Sequence, residues 1–266
     1  MRRDLKGRRV LLTGASSGIG RALANQLAEG GAKVVLAARS LDKLQEIERS
    51  LTTRNLQAVA VATDVTRGED RQRAVDTAVE RFGGLDALIN NAGVGSFGHF
   101  ADCNEAILRQ VMEVNFFAPA ELIRLAIPVL AKGIQPAIVN VASMCGRRGL
   151  PAWSEYSASK FALTGFSEGL RAELVLQGID VLLIQPGLTR SDLGSHLLRN
   201  TGRMKIDFSK GMPPEEVAAG IVRALTRGSH ETVLGCEAKW MVRLNRWVPR
   251  IVDWLVARRV RRLYAN

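Results

Sequence analysis

The amino-acid sequence predicts a single-domain α/β fold, in which a doubly wound, mostly parallel sheet of seven strands carries helices on both faces. Two observations predict it. Short, nearly continuous apolar runs recur along the chain, as in strands that are buried on both faces of a parallel sheet. Longer segments with helical spacing separate these runs, and this alternation favours right-handed crossovers between parallel strands.

The predicted strands follow one another in chain order. They are RVLLT (9–13), AKVVLAA (32–38), QAVAVATD (57–64), LDALIN (85–90), PAIVNVAS (136–143), IDVLLIQ (179–185) and ETVLG (231–235). The helical patterns between them are IGRALANQLAEG, LDKLQEIERSL, DRQRAVDTAVERFG, EAILRQVMEVNFFAPAELIRLAIPVL and SASKFALTGFSEGLRAELVLQG. A long irregular segment at 188–212 follows the sixth strand. Because such segments commonly form lids or binding loops, we expect it to contact a ligand.

The composition is that of a globular protein, with 47% apolar and 24% charged residues. We find no apolar run of about 18 residues that would predict a membrane-spanning helix, and no apolar core of a signal peptide near the N-terminus. The three cysteines and three histidines are scattered, without the spacing of a zinc site or a disulfide framework. We therefore expect no metal and a reducing, cytoplasmic location.

The net charge of +11 is concentrated at the C-terminus. Residues 239–266 contain eight basic residues and one acidic residue, a net charge of +7, so the first 238 residues carry only +4. A nearly balanced body disfavours a basic nucleic-acid-binding domain. We expect no nucleic-acid partner.

The segment TGASSGIG at 13–20 follows the first predicted strand and runs into a helix. Its glycines allow a tight turn, a close approach of backbone N–H groups to a phosphate, and close packing of helix on strand. At the first strand–helix junction of a βαβ unit, this pattern predicts a Rossmann-type dinucleotide site. The cofactor-binding residues expected there are Gly14, Ser16, Ser17, Gly18, Ile19 and Gly20.

GASSG at 14–18 also matches G-x-S-x-G, the nucleophile elbow of α/β-hydrolases. That elbow follows several strands and requires an acid and then a histidine later in the chain. Only one predicted strand precedes Ser16, and no histidine follows an acid in a comparable setting. The hydrolase interpretation is therefore disfavoured.

The end of the second strand, Ala38-Arg39, bears on which dinucleotide is bound. Sites for NAD usually place Asp or Glu about 20 residues past the glycines, where it holds the ribose 2′-OH. Ala38 has no carboxylate, and Arg39 offers a guanidinium suited to a 2′-phosphate. NADP(H) is therefore favoured, and the less favoured alternative is that Arg39 is a solvated residue after a strand. Because Ser17 is not basic, the preference rests mainly on Arg39.

Together with later motifs, these segments resemble the single-domain short-chain dehydrogenases/reductases over roughly residues 7–235. The resemblance rests on TGASSGIG, TDVT with Asp64, NNAG at 90–93, Asn115, Ser143, YSASK at 156–160 and PG at 186–187. It implies a catalytic domain at 1–238 with a substrate loop at about 188–212, followed by a C-terminal extension at 239–266. It also implies a homodimer or homotetramer.

The resemblance further implies roles for individual residues. Tyr156 would donate the proton, Lys160 would bind the nicotinamide ribose, and Ser143 would hold the substrate carbonyl. Asn115 would anchor a proton-relay water. Cofactor contacts would also come from Asp64, Val65, Asn91, Ala92, Gly93, Pro186, Gly187, Thr189 and Ser191. The structural alternatives are an ordinary helix residue for Tyr156, a strand-end cap for Ser143 and a buried polar group for Asn115.

The spacing of Tyr156 and Lys160 suits proton transfer, because residues four apart lie on one face of a helix. Hydride transfer to a carbonyl leaves an alkoxide that needs a proton donor, and a free tyrosine titrates near pH ~10. An ammonium about 4 Å away, at an effective dielectric of about 20, would stabilise the phenolate by about 4 kcal/mol. We therefore expect Lys160 to lower the pKa of Tyr156.

The expected substrate pocket is apolar. Its predicted lining residues are Met144, Cys145, Trp153, Leu188 and Leu193, with Cys145 as lining rather than nucleophile. The leading interpretation is an NADP(H)-dependent enzyme that interconverts a carbonyl and an alcohol on a lipid, retinoid, steroid-like or xenobiotic substrate. A 3-oxoacyl-ACP reductase is an alternative that the unusual chain ending after residue 235 disfavours. A non-catalytic NADP-binding sensor or scaffold is another, which the complete Ser143, Tyr156 and Lys160 set disfavours.

The C-terminal extension contains a regular aromatic stripe. Trp240, Trp247 and Trp254 are seven residues apart, and arginines flank them; Pro249 would bend or restart the helix. Tryptophan with arginine fits an interfacial membrane helix. The stripe equally fits packing on the body or on a second copy of the chain, and the sequence leaves both interpretations open.

Overall fold

The computed structural model describes residues 3–190, 194, 197–203 and 207–264. It contains a seven-stranded sheet of order β3-β2-β1-β4-β5-β6-β7, and every neighbouring pair is parallel. The strands are β1 (Arg9–Thr13), β2 (Lys33–Ala38), β3 (Ala58–Ala62), β4 (Ala87–Asn90), β5 (Ala137–Val141), β6 (Asp180–Pro186) and β7 (Glu231–Leu234). The predicted doubly wound parallel sheet is confirmed.

The helices alternate with the strands and then continue beyond the last one. They are α1 (Gly18–Glu29), α2 (Leu41–Thr52), α3 (Gly68–Phe82), α4 (Glu105–Met112), α5 (Ala118–Leu130), α6 (Ser154–Glu173), α7 (Pro214–Arg227), α8 (Cys236–Trp247) and α9 (Pro249–Tyr264). Within the described ranges, no helix has the length and apolar character needed to cross a membrane.

Alternate residues of each strand supply two separate hydrophobic layers. Val10 and Leu12 of β1 pack in the layer formed with α1, α2 and α7, whereas Leu11 packs in the layer formed with α3, α5 and α6. All three side chains are fully buried. Because both faces of the sheet are buried, the strand sequences are continuous apolar runs and do not alternate between apolar and polar residues.

The helix predicted over residues 105–130 is interrupted. A π-helical turn, Glu113–Phe117, separates α4 from α5 and contains the buried Asn115. The amide of Asn115 bonds to both backbone groups of Val94, with Val94 N donating to Oδ1 and Nδ2 donating to Val94 O, each at 2.9 Å. The wider turn brings this side chain to the loop after β4. Such turns cluster at functional sites, and the apolar spacing of the sequence gave no sign of it.

The direction of the strand order reverses between β1 and β4, which are direct neighbours in the sheet. The helices that follow β1 and β4 therefore lie on opposite faces, as the two hydrophobic layers require. A crevice opens at the carboxyl ends of the strands at such a point, and ligands of open α/β sheets bind there. The loops after β1, β4, β5 and β6 meet at this edge.

Candidate active site

The turn after β1 forms a glycine cradle, residues 13–20. Gly14 and Gly18 have φ angles of +66° and +48°, which side-chain-bearing residues rarely adopt. A Cβ on Gly20 would lie 1.9 Å from the carbonyl oxygen of Gly14, so only glycine fits there. Helix α1 begins at Gly18 without a side-chain cap, so the N–H groups of its first turn have no partner within the helix. The cradle therefore suits an anionic phosphate group.

Thr13 and Asn91 fix the cradle to the end of β4. The Thr13 hydroxyl oxygen accepts hydrogen bonds from the backbone N–H groups of Asn91 and Ala92, both at 3.0 Å. The Asn91 side chain donates to the carbonyl oxygens of Thr13 at 3.0 Å and of Gly14 at 3.2 Å. The predicted NNAG motif thus holds the shape of the glycine turn.

We expect Gly20→Ala to lower dinucleotide affinity by at least tenfold and to lower the free energy of unfolding by about 2 kcal/mol, because the added methyl group forces apart α1 and the turn. Gly169→Ala is the matched control. A Cβ on Gly169 in the middle of α6 meets open space, so this change should raise stability by about 0.5–1 kcal/mol. Nucleotide titration and urea unfolding measure both effects. Equal dinucleotide affinity in the two variants would contradict the assignment of the glycine cradle to dinucleotide binding.

A cavity of about 960 Å³ runs from the glycine cradle to the loops after β5 and β6. Most of the sequence-predicted site residues line it. These are Gly14, Ser16, Ser17, Gly18, Ile19, Gly20, Arg39, Asp64, Val65, Asn91, Ala92, Gly93, Ser143, Met144, Cys145, Trp153, Tyr156, Lys160, Pro186, Gly187, Leu188 and Thr189. Asn115 does not line it. The predicted contacts Ser191 and Leu193 lie outside the described residues.

Arg39, immediately after β2, is exposed at one end of the cavity. Lys43, one helical turn later in α2, lines the same end and was not among the predicted residues. A second basic residue only four positions after Arg39 was visible in the sequence and is the signal that could have found Lys43. This end of the cavity is therefore cationic.

Ser143, Tyr156 and Lys160 converge at the other end of the cavity. Ser143 follows β5, and its side-chain oxygen accepts a hydrogen bond from Cys145 N at 3.1 Å. The Lys160 ammonium is buried, lies 5.7 Å from the centre of the Tyr156 ring, and donates to Val141 O at 3.1 Å. The first two turns of α6 therefore present the phenol and the ammonium to the loop that holds Ser143.

The expected lowering of the Tyr156 pKa by Lys160 was wrong for this arrangement. Burial raises the Tyr156 pKa above its ordinary value of 10.0, the nearby Cys145 raises it too, and the hydrogen bond with Ser143 only partly opposes them. Burial also lowers the Lys160 pKa from 10.5 to about 8. The spacing of the two residues predicts their attraction, whereas the loss of water around each depends on the fold. Tyr156 keeps some exposure to the cavity. Because its pKa is raised, the phenol holds its proton at neutral pH.

Asn115 reaches the site indirectly. Besides its two bonds to Val94, its Nδ2 donates to Ser159 Oγ at 3.0 Å, and Ser159 Oγ donates to Tyr156 O at 2.7 Å. Both amide hydrogens of Asn115 are thus used within the protein. The side chain connects the loop after β4 with the first turns of α6, and its predicted contact with a relay water stays a prediction.

A buried ion pair joins the loop after β6 to the start of α6. Arg199 Nη2 lies 2.5 Å from Glu155 Oε1, and the two residues are only 8% and 1% exposed. Arg199 also donates to the carbonyl oxygens of His99 at 2.7 Å and Gly98 at 3.0 Å. The sequence interpretation missed this pair. Glu155 precedes Tyr156, so the pair fixes the loop beside the phenol.

We expect Arg199→Met to lower the free energy of unfolding by about 3–5 kcal/mol, because the Glu155 carboxylate is left buried without its partner. The double variant Arg199→Met with Glu155→Gln should recover much of that loss, because no buried charge then remains. As a control, Arg109→Ala breaks an exposed pair with Glu105 and should change stability by at most about 0.5 kcal/mol. Urea unfolding of the wild type and the three variants tests this, and a double variant no more stable than Arg199→Met would contradict it.

The C-terminal helix pair, α8 with α9, folds back onto the site. Arg148 in the loop after β5 pairs with Asp253 of α9 at 2.7 Å and donates to Asn245 Oδ1 of α8 at 3.0 Å. Met241 and Val256 line the cavity, and the sequence interpretation assigned neither to the site. Met241 and Val256 reach the cavity only because α8 and α9 pack against the loop after β5. The spacing of residues in the sequence does not predict that packing.

A parallel sheet with a glycine cradle at its crevice, and with Ser, Tyr and Lys side chains in the adjoining cleft, is the arrangement of a dinucleotide-dependent oxidoreductase. The family model described as short chain dehydrogenase matches residues 8–201. The chain therefore belongs to the short chain dehydrogenase family.

Two relatives match over nearly the whole chain. Identity is 35% over 258 residues with the uncharacterized oxidoreductase YxnA of Bacillus subtilis strain 168, across 96% of this chain and 72% of that protein. It is 34% over 267 residues with 11-beta-hydroxysteroid dehydrogenase A of Sesamum indicum, across 95% of this chain and 75% of that protein.

Two solved structures have the same architecture. A short chain dehydrogenase/reductase from Burkholderia phymatum, in complex with NAD, superposes with a TM-score of 0.85 at 25% identity, covering 94% of this chain and 96% of that one. A short chain dehydrogenase from Burkholderia cenocepacia J2315, in complex with NADP, gives a TM-score of 0.81 at 26% identity, covering 96% and 99%.

Proposed function

We propose that this protein is an NADP(H)-dependent oxidoreductase that interconverts a carbonyl and an alcohol on a small-to-medium apolar substrate. The convergence of Ser143, Tyr156 and Lys160 on one cleft, continuous with the glycine cradle, carries the proposal. We assign residues 1–238 to the catalytic domain, with a substrate loop at about 188–212, and residues 239–266 to an extension of it.

The cofactor, when bound, supplies or accepts the hydride. The chain's own residues handle the proton and the carbonyl. Ser143, at the end of β5, donates a hydrogen bond to the carbonyl oxygen, and the Tyr156 phenol gives that oxygen a proton as it gains charge. Because burial raises the Tyr156 pKa, the phenol is protonated at neutral pH, which is the form that carbonyl reduction requires.

The residues at the cavity's two ends fit a dinucleotide. The glycine cradle offers backbone N–H groups to the pyrophosphate, and Gly93, beside the Lys160 ammonium, leaves room near the nicotinamide ribose that Lys160 would hold. Arg39 and Lys43 supply positive charge where a ribose 2′-phosphate would lie. The NADP-bound relative from Burkholderia cenocepacia supports this choice, whereas the NAD-bound one from Burkholderia phymatum makes the preference worth testing directly.

We expect Arg39→Asp to weaken NADPH binding roughly 10–100-fold and to strengthen NADH binding, because it exchanges a phosphate partner for a carboxylate that accepts a hydrogen bond from the ribose hydroxyl. Fluorescence titration with both nucleotides measures the change. Lys43→Gln serves as the comparison and should weaken NADPH binding less, since it removes a charge without adding a repulsive one. Unchanged NADPH affinity in Arg39→Asp would remove the basis for the NADP preference.

An apolar substrate is favoured by the walls near Tyr156. Leu150, Trp153, Leu197, Phe208 and Met241 line this part of the cavity. Trp153 packs edge-on against the Tyr156 ring, with 5.3 Å between the ring centres. The name of the sesame relative, a hydroxysteroid dehydrogenase, points to the same kind of substrate. The apolar walls and the helix pair beyond β7 argue against a 3-oxoacyl-ACP reductase.

Turnover with a panel of hydrophobic ketones and aldehydes tests the proposal, with NADPH oxidation followed by absorbance. We expect turnover with at least one steroid-like, retinoid or long-chain carbonyl, and higher kcat/KM with NADPH than with NADH. Protein that binds NADPH but oxidises it with no member of the panel would instead support a non-catalytic sensor or scaffold. We further propose a cytoplasmic homodimer or homotetramer, which light scattering of the purified protein checks.

A further inference from the structure

The C-terminal helix pair has two unlike sides. On the inner side, Ala238 and Val252 are buried against the body, at 1% and 2% exposure, and Met241 and Val256 line the cavity. The ion pair between Arg148 and Asp253 holds this side in place. The helix pair α8–α9 therefore forms one wall of the proposed site, and its contacts with the loop after β5 set its orientation.

On the outer side, large apolar residues face solvent at helical spacing. Trp240, Leu244 and Trp247 lie on one face of α8, and Ile251, Trp254 and Leu255 lie on one face of α9. Their exposed fractions run from 43% to 79%. We call these six residues the outer stripe. A packed core would have covered them, so the interpretation in which the stripe packs on the body is wrong for this arrangement.

Basic side chains surround the outer stripe. Arg243, Arg246 and Arg250 are exposed between its members, and the guanidinium of Arg258 lies 5.2 Å from the centre of the Trp254 ring. Among the described residues, none of these four arginines forms an ion pair, and the one acidic residue of α9, Asp253, is paired with Arg148. The surface is thus both apolar and strongly cationic.

We propose that the outer stripe docks on a lipid bilayer surface that carries anionic headgroups. Tryptophan and leucine side chains enter the boundary between headgroups and acyl chains, where an amphipathic ring has both an apolar and a polar neighbour. The arginines meet the lipid phosphates around them. Helices α8 and α9, of 12 and 16 residues, lie on the surface and do not cross it.

A second copy of the chain fits this surface less well. A twofold contact between two outer stripes would bring Arg243, Arg246 and Arg250 close to their own counterparts, and like charges at a dry interface are unfavourable. An anionic bilayer covers the apolar groups and neutralises the same arginines. Charge complementarity therefore selects the lipid surface as the occupant.

The two sides of the helix pair also connect the lipid surface with the active-site cavity. The outer stripe and the cavity-lining Met241 and Val256 belong to the same two helices. An apolar substrate dissolved in the bilayer would therefore reach the cavity across one helix layer. This last step rests on the proposed oxidoreductase function, whereas lipid docking does not.

Flotation with vesicles tests the docking, without cofactor or substrate. We expect the wild-type chain to float with vesicles of phosphatidylcholine and phosphatidylglycerol, and to bind pure phosphatidylcholine at least tenfold more weakly. The variant Trp247→Ala with Trp254→Ala should lose flotation yet keep wild-type NADPH binding, because neither residue lines the cavity. The control Val175→Ala with Leu176→Ala removes two apolar residues, 67% and 94% exposed, outside the stripe and should float normally.

A second pair of variants tests the charge. Arg243→Gln, Arg246→Gln and Arg250→Gln together should abolish the preference for anionic vesicles; Arg49→Gln, Arg81→Gln and Arg227→Gln, on other helices, should not. Flotation of the tryptophan variant at the wild-type level would overturn the proposal, as would wild-type protein that binds neither vesicle. Light scattering that shows a wild-type oligomer reduced to monomer by the tryptophan changes, without vesicle binding, would assign the stripe to contacts between copies instead.

Discussion

Tyr156→Phe is expected to lower kcat/KM for carbonyl reduction about 10³-fold and to leave NADPH affinity close to that of the wild type. The change removes one oxygen from a side chain whose ring packs on Trp153, so the shape of the pocket is kept. What is lost is the hydroxyl next to Ser143, which is the proposed proton donor. Steady-state kinetics with the best substrate of the panel, together with nucleotide titration, measure the two quantities separately.

The chain provides a matched control for this change. It contains two tyrosines, and the other, Tyr264, is at the C-terminal end of α9. Tyr264→Phe makes the same chemical change and should retain wild-type kinetics. If Tyr156→Phe kept more than a tenth of the wild-type kcat/KM, the phenol would not be the proton donor. Equal losses of turnover and of NADPH affinity would point to a binding role instead.

Local patterns predicted the fold and one wall of the site. The centre of β1, Val10 to Leu12, is continuously apolar because both faces of the sheet are covered, and this can be seen without longer-range information. The glycine cradle was equally visible, since Gly14 and Gly20 are required by a turn within a few residues of each other. Features fixed by neighbouring residues could therefore be inferred from the sequence.

Features that depend on distant segments could not. Glu155 and Arg199 are 44 residues apart, and a glutamate before a tyrosine looks like any solvated helix residue until the loop that contains Arg199 covers it. Arg148 and Asp253 are even further apart in the sequence, so the packing of α9 against the site could not be predicted. The burial of single side chains could not be predicted either. The spacing places Lys160 beside Tyr156, but only the fold shows that both are largely removed from water.

Burial of the charged Lys160 side chain lowers the stability of the folded chain. Its pKa of about 8 in the folded chain, against 10.5 ordinarily, corresponds to about 3 kcal/mol of lost stability while the group is charged. Its hydrogen bond to Val141 O returns about 1 kcal/mol. A buried charge that destabilises the protein is expected at a site kept for chemistry, because a neutral side chain of similar size would pack there more favourably.

Lys160→Met is therefore expected to raise the free energy of unfolding by about 2 kcal/mol at pH 7 while lowering kcat/KM at least 100-fold. The folded-state pKa of Lys160 is lowered, so the unfolded chain binds more protons between pH 8 and 10.5. The contribution of Lys160 to wild-type stability consequently rises with pH across that window. The advantage of the variant should shrink over the same range. Urea unfolding of both proteins at several pH values measures this difference.

Lys132→Met provides the control, because Lys132 is exposed after α5 and should change stability by at most about 0.5 kcal/mol at any pH. A Lys160→Met variant less stable than the wild type at pH 7 would mean that the ammonium is stabilised by contacts stronger than the bond to Val141 O. A stability difference independent of pH would mean that Lys160 titrates normally in the folded chain. Only a gain in stability together with a loss of turnover agrees with a charge that is buried for the reaction.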